Sequence, residues 1–332
     1  MLVLSTFFAA LLPMVLAGSR TTAPSGCLVV SKSATSGQYS TVQKAVTALS
    51  TTSTCAQCIF IGSGTYSEQV YIPARKAVLT IYGETTATGS YTSNTVTITH
   101  KAALANSAND DATATIRNWA ANTKFYNLNI VNTYGQASSN GQALALSAYA
   151  SGQGYYGCQF SSFQDTILAE KGLQVYAQCE IIGAVDFIFG QSAQAWFHKV
   201  DIRVLATSFG TITASGRDSS SSSSIYVINK STIAAKSGVT VTAGSYYLGR
   251  PWEPYAKVVV QDTSMTAVIN SAGWTPWSSS VSTANVVFEE YGNTGTGASG
   301  TRKIGKKISS PVTIASVLGS SYATWVDSNY VN

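Results

Sequence analysis

The segment FQDTILAEKGLQVYAQCEIIGAVDFIFG, Phe163 to Gly190, carries two aspartates, Asp165 and Asp186, in mostly uncharged surroundings and 21 residues apart. If 21 is a structural period, the two carboxyl groups occupy equivalent places on neighbouring repeats. Strands so stacked lie roughly 5 Å apart. Two carboxyl groups that close resist ionising together, so one retains its proton. A protonated acid beside an ionised carboxylate is an acid–nucleophile pair. The bland alternative is a pair of polar ladder residues that accept backbone hydrogen bonds at a turn.

The period is visible in the flanking residues. YYGCQF (155–160), VYAQCEI (175–181) and WFHKVDI (196–202) align so that Phe160, Ile181 and Ile202 fall 21 apart, as do Cys158, Cys179 and Val200. Within each stretch apolar and polar residues alternate, which is strand periodicity with one face buried. A short strand and a turn repeated about every 20 residues describes a β-solenoid, in which equivalent residues stack as ladders. Tyr156, Ala177 and His198 are expected to form one inward ladder, making His198 a core residue. Cys158 and Cys179 are expected to be inward neighbours, at a separation that permits a disulfide without requiring one.

Further coils are read at 77–83, 94–100, 124–132, 224–233 and 257–265, with less regular spacing that implies interrupting loops. The serine run Ser219–Ser224 is one such loop. TVQKAVTALS (41–50) has helical spacing at Val42, Ala45, Val46 and Leu49, suiting a short helix that caps the stack.

Bulk properties agree with a single exported domain. The chain of 332 residues is 45% hydrophobic and 11% charged, with net charge +5. The basic residues form no nucleic-acid-binding arm. The first 17 residues, MLVLSTFFAALLPMVLA, have no charged side chain and resemble a signal peptide, leaving 18–332 as the mature domain. No other apolar run is long enough to span a bilayer. Of five cysteines, at least one must remain unpaired. The lone C-x-x-C, Cys55 and Cys58, and two histidines make no zinc ligand set, so no metal or cofactor is expected. Asn229-Lys230-Ser231 is an N-glycosylation sequon.

Neighbouring segments add groups suited to catalysis. Gln164 adjoins Asp165, and GQALALS (141–147) offers Gln142. LGRPW (248–252) offers Arg250, whose planar fork suits a carboxylate, and Trp252, whose flat face suits a sugar ring. GTYSEQV (64–70) reads as a turn near the start.

In this order, GTYSE, GQALAL, FQDT, VDFIFG and LGRPW resemble the pectin methylesterase family, over nearly the whole mature chain. The resemblance implies a right-handed parallel β-helix, an all-β single domain, and hydrolysis of the C6 methyl esters of homogalacturonan without a metal. It implies that Asp186 is the nucleophile and Asp165 the acid/base. Gln142 and Gln164 would donate to the oxyanion, Arg250 would hold Asp186 ionised, and Trp252, Val185 and Phe189 would line the saccharide cleft. The implied partner is methylesterified pectin, met outside the cell by a monomer.

Two departures from the family pattern stand out: Leu168 where QDTLY has tyrosine, and Ser147 where QAVALR has arginine. A second QDT, Gln261–Thr263, lacks a downstream carboxylate at 21 residues and reads as a structural turn. Asp110 and Asp111 read as an exposed polar turn, Asp201 as solvated, and Asp218 as a loop contact of Arg217. Other readings remain: a β-helical lyase or glycosidase, or a wall-binding protein without activity. Methanol, unsaturated ends or new reducing ends as product separates the enzymes. A serine hydrolase lacks its G-x-S-x-G.

Overall fold

The computed structural model describes residues 18–332. The expected signal peptide, 1–17, lies outside them. Among the described residues the strands form three parallel sheets of eleven, eight and seven strands, wound as a right-handed parallel β-helix. The chain passes from the eleven-stranded sheet to the eight-stranded, then to the seven-stranded, then begins the next coil. One coil is Gln153–Tyr156, Gln159–Ser161 and Ile167–Ala169; the next is Lys171–Ala177, Glu180–Gly183 and Ile188–Gly190. Each coil thus holds three strands, not the single strand expected. A stretch such as VYAQCEI is two strands joined at a corner.

The corner is a single residue in the left-handed region, Gly157, Gln178 and Lys199 in successive coils, with φ of 58°, 52° and 51°. One such residue turns the chain and shifts the inward–outward alternation by one position, so that Tyr155 and Cys158, or Tyr176 and Cys179, both face the core. The conformation costs roughly 1–2 kcal/mol in a residue with a Cβ. The backbone ladders on either side offset it. Asp262 occupies this same corner, with φ 49°, which places the second QDT among structural turns as expected.

The expected ladders form with 21-residue register. Phe160 pairs with Ile181 and Ile181 with Ile202. Tyr155, Tyr176 and Phe197 stack inside at ring separations of 4.9 and 4.6 Å. Cys158 and Cys179 are buried in the core as free thiols. Tyr156, Ala177 and His198 do pair in register, but they point outward, not inward. The C-terminal segment covers them, with Val317, Leu318, Val326 and Tyr330 completing a second apolar cluster. Alternation could not reveal this, because both faces of the sheet are apolar.

A helix at Val42–Ala48 buries Val42, Ala45 and Val46 against the first coils. Thr41 caps it, and Glu68 accepts the amides of Val42 and Gln43, both at 2.8 Å. GTYSE is therefore not a turn: Gly64–Ser67 is a strand, and its Glu68 holds the helix onto the stack. Cys27 and Cys58 form a disulfide, and Cys55 is free and exposed.

Candidate active site

Asp165 and Asp186 stand at the corner between the eight- and seven-stranded sheets, with φ of 62° and 49°. Gln164 bridges to Val185, and the Asp165 amide donates to the Val185 carbonyl at 3.1 Å. The 21-residue register therefore holds through this corner, and the two aspartates are neighbours on adjacent coils. The strand after Asp186 ends at Gly190, with φ +137°. A Cβ there would lie 2.1 Å from the Ala169 carbonyl oxygen, so only glycine fits between the coils.

Both carboxyl groups are buried: Asp165 is 7% and Asp186 6% exposed. Arg250, from the strand Tyr246–Pro251, grips Asp186 with both arms of its fork. Its Nε donates to Oδ1 at 3.0 Å and its Nη2 to Oδ2 at 2.6 Å. Thr211 binds the same aspartate twice. Its hydroxyl donates to Oδ1 at 2.6 Å and accepts the Asp186 amide at 3.0 Å. Asp165 has no such cation. Its carboxyl is pushed well above the usual range, first by burial, then by the charges of Asp186 and Asp110, against the opposing pull of Arg250 and a hydrogen bond from Gln164. The two aspartates thus have unequal surroundings: Asp186 is paired with a guanidinium, and Asp165 is buried without one.

A cleft of 220 Å³ opens over this pair, with Gln142, Gln164, Phe189 and Trp252 in its wall. It continues into a second lobe of 340 Å³, where Trp119 and Tyr149 stack at 4.8 Å and Glu170 is pushed up to about 7 by burial. Gln142, Gln164, Phe189, Trp252, Arg250 and both aspartates are therefore gathered in one place. Val185 is half-buried beside the cleft and contributes its carbonyl to the corner, not a wall. Among the described residues no cluster of three or more His, Cys, Asp or Glu side chains is arranged to hold a metal ion.

Several side chains differ from the sequence reading. Asp111 is buried and accepts from Arg117, Trp119 and Ser147. Ser147 pairs in register with Arg117 on the adjacent strand, so a guanidinium stands one strand away from the position where the family pattern has arginine. Leu168 packs with Phe189, Tyr149 and Trp252, an aliphatic stretch of wall in place of a ring. Asp110 lines both lobes of the cleft, so it is no solvated turn. Asp201 is not free in solvent either: Arg203 and the Tyr91 hydroxyl bind it at 2.7 and 2.6 Å. Arg217 spends its donors on the carbonyls of Ser220, Ser222 and Tyr255, leaving Asp218 exposed.

The sequon asparagine, Asn229, is 5% exposed. Its side chain meets His198 Nδ1 at 2.8 Å and accepts from Gln261 at 2.7 Å, beneath the C-terminal segment. A glycan on this amide is incompatible with that packing. The strand position of the sequon gave no warning, because Asn229 lies on a face that would be solvated without the tail.

Two site residues escaped the sequence reading. Thr211 lies 25 residues after Asp186, outside the 21-residue period, because a loop lengthens that coil. Trp277 lies over the Arg250 guanidinium at 4.0 Å and comes from a segment with no strand pattern.

A parallel β-helix carrying an unequal carboxyl pair in an aromatic-walled groove is the class that fold and cleft define. The family model described as Pectinesterase matches residues 28–316. A pectinesterase of Aspergillus niger is 59% identical over 320 residues, covering 96% of each chain. One of Aspergillus aculeatus is 56% identical, covering 95% of each. The crystal structure of a pectin methylesterase from Aspergillus niger superposes with a TM-score of 0.87 at 42% identity, covering 94% of this chain and all of that one. Pectin methylesterase from carrot superposes at 0.79 with 30% identity, over 92% of this chain and 96% of that one. The chain belongs to the pectinesterase family and is a carboxylic ester hydrolase.

Proposed function

We propose that this chain removes methyl groups from the C6 esters of pectin outside the cell, with Asp186 as nucleophile and Asp165 as acid and base. The observation that carries the reading is the asymmetry of the pair: Arg250 grips Asp186 in two hydrogen bonds, while burial and neighbouring charge raise the pKa of Asp165 and favour its protonated form.

On this reading Asp186 attacks through Oδ2. Oδ1 already accepts from both Arg250 and Thr211, whereas Oδ2 accepts from Arg250 alone and keeps a lone pair free. Attack on the ester carbonyl yields a tetrahedral oxyanion, which the side-chain amides of Gln142 and Gln164 stabilise. The bond to methoxide breaks as Asp165 delivers its proton, and methanol departs. The enzyme is left as an anhydride between Asp186 and the galacturonate. Water then attacks the galacturonate carbonyl and gives a proton to the Asp165 carboxylate, and the anhydride opens to the free acid and Asp186. Phe189 and Trp252 form the wall against which the sugar rings lie.

The test is methanol release from highly methylated pectin by the mature chain with chelator present, beside Asp186→Asn. Methanol from the wild type and near-background release from the variant support the reading. Unsaturated ends or new reducing ends without methanol overturn it in favour of a lyase or a glycosidase.

A further inference from the structure

Asp110 and Asp111 are adjacent in sequence and opposite in state. Asp111 has its oxygens fully engaged by Arg117, Trp119 and Ser147. Asp110 opens the helical turn Asp110–Thr113, yet that turn does not depend on it. The cap is Asn109, whose side chain accepts the Ala112 amide at 2.9 Å. The Asp110 side chain is instead turned into the cleft, where Oδ1 is buried and has no partner. An unpaired buried carboxylate oxygen is costly and calls for a reason.

Charge balance supplies one. The cleft holds three carboxyl groups, Asp110, Asp165 and Asp186, and one guanidinium, Arg250. Both arms of Arg250 are on Asp186. The next guanidinium, Arg117, is paired with Asp111. The other groups around Asp110 are Tyr149 and Glu170, neither of them cationic. Asp110 and Asp165 therefore share a partly buried cleft without a cation of their own. Burial raises the pKa of each, and at Asp165 the charges of Asp186 and Asp110 raise it further. Asp165 is the more deeply buried and is raised the further, while Asp110 is only half-buried and ionises the more readily.

We propose that Asp110 is a positioning residue for the catalytic proton: its carboxylate holds the proton on Asp165 and thereby sets the upper pH edge of activity. The proposal rests on Asp165 being the acid. Two like charges across a partly buried cleft interact strongly enough to move a carboxyl pKa by about half a unit or more.

The experiment is the pH dependence of kcat/KM for the mature enzyme, which reports the ionisations of the free enzyme. Asp110→Asn removes the charge and is expected to move the alkaline edge toward acid by about half a pH unit or more. The acid edge is expected to stay in place. Asp110→Glu, which restores the charge, is expected to return the alkaline edge toward its original position. Asp110→Ser is a second neutral variant should the asparagine fold poorly. A folded neutral variant whose alkaline edge coincides with that of the wild type overturns the proposal. Asp165→Asn, measured in parallel, separates the two readings. If it is inactive while the Asp110 edge is unmoved, only this proposal fails. If it retains full activity, Asp165 is not the acid and both fail.

Discussion

Arg250 and Asp186 are 64 residues apart in sequence and meet in two parallel hydrogen bonds of 3.0 and 2.6 Å. The guanidinium arrives from the strand Tyr246–Pro251, two strands beyond the one that follows Asp186. It holds the carboxylate plane in one orientation, with Oδ1 accepting two side-chain hydrogen bonds and Oδ2 one. Arg250→Lys keeps the charge and loses the fork, so kcat is expected to fall by about 100-fold or more with little change in Tm. Steady-state kinetics with a melting curve checks this; retention of most of the activity would show that charge alone suffices.

Thr211 fixes the same carboxylate from the other side, as donor to Oδ1 and acceptor of the Asp186 amide. Thr211→Val preserves shape and deletes both bonds. It is expected to lower kcat by roughly 10-fold or more. Thr211→Ser keeps the hydroxyl and is expected to recover most of that loss.

Burial of Asp165 has a consequence for stability. Its folded pKa lies above the ordinary aspartate value, so the unfolded chain releases this proton first as pH rises. Stability from this group is fully present below about pH 3.9 and is lost as pH rises through the folded value. Asp165→Asn is therefore expected to raise Tm relative to the wild type near neutral pH, with the difference shrinking toward pH 4. Calorimetry at the two pH values tests it. An equal difference at both would mean that the ionisation is not what destabilises the fold.

His198 acts in the opposite pH range. Burial lowers its pKa from 6.5 to about 4, with Lys199 and Lys230 adding to the effect. Its contribution is present above the unfolded value and is lost as pH falls toward about 4. His198→Gln is expected to flatten the acid side of the stability profile, read as Tm between pH 4 and 7. In the same region, Asn229 is enclosed by His198 and Gln261. Material secreted from a eukaryotic host is expected to yield an unmodified Asn229 peptide by mass spectrometry.

Thiol chemistry separates the five cysteines. Cys55 is exposed, Cys158 and Cys179 are buried, and Cys27–Cys58 is a disulfide. A thiol reagent is expected to modify one cysteine in the native protein, and Cys158 and Cys179 only after denaturation without reductant. Modification of Cys158 or Cys179 in the native state would contradict the core assignment.

Much of this protein was legible in one dimension because a solenoid repeats in one dimension. The 21-residue spacing of Phe160, Ile181 and Ile202 determined the stacking, and the same spacing brought Asp165 beside Asp186. The helical period at Val42, Ala45 and Val46 marked the cap, and the amides and the arginine were identified from short motifs that adjoin the pair or follow it. Tertiary structure decided what lay outside the period. The loop that lengthens one coil moved Thr211 out of the 21-residue period, though it stays in register with Asp186, and the segment carrying Trp277 has no periodicity to read. The C-terminal segment turned an outward ladder, Tyr156, Ala177 and His198, into a second buried cluster and enclosed Asn229. Whether Asp110 was a surface turn or a wall of the cleft depended on how its helical turn packs against neighbouring coils. Local pattern records which residues face the same way; only the fold determines what covers each face, and burial sets the charge state of the groups beneath.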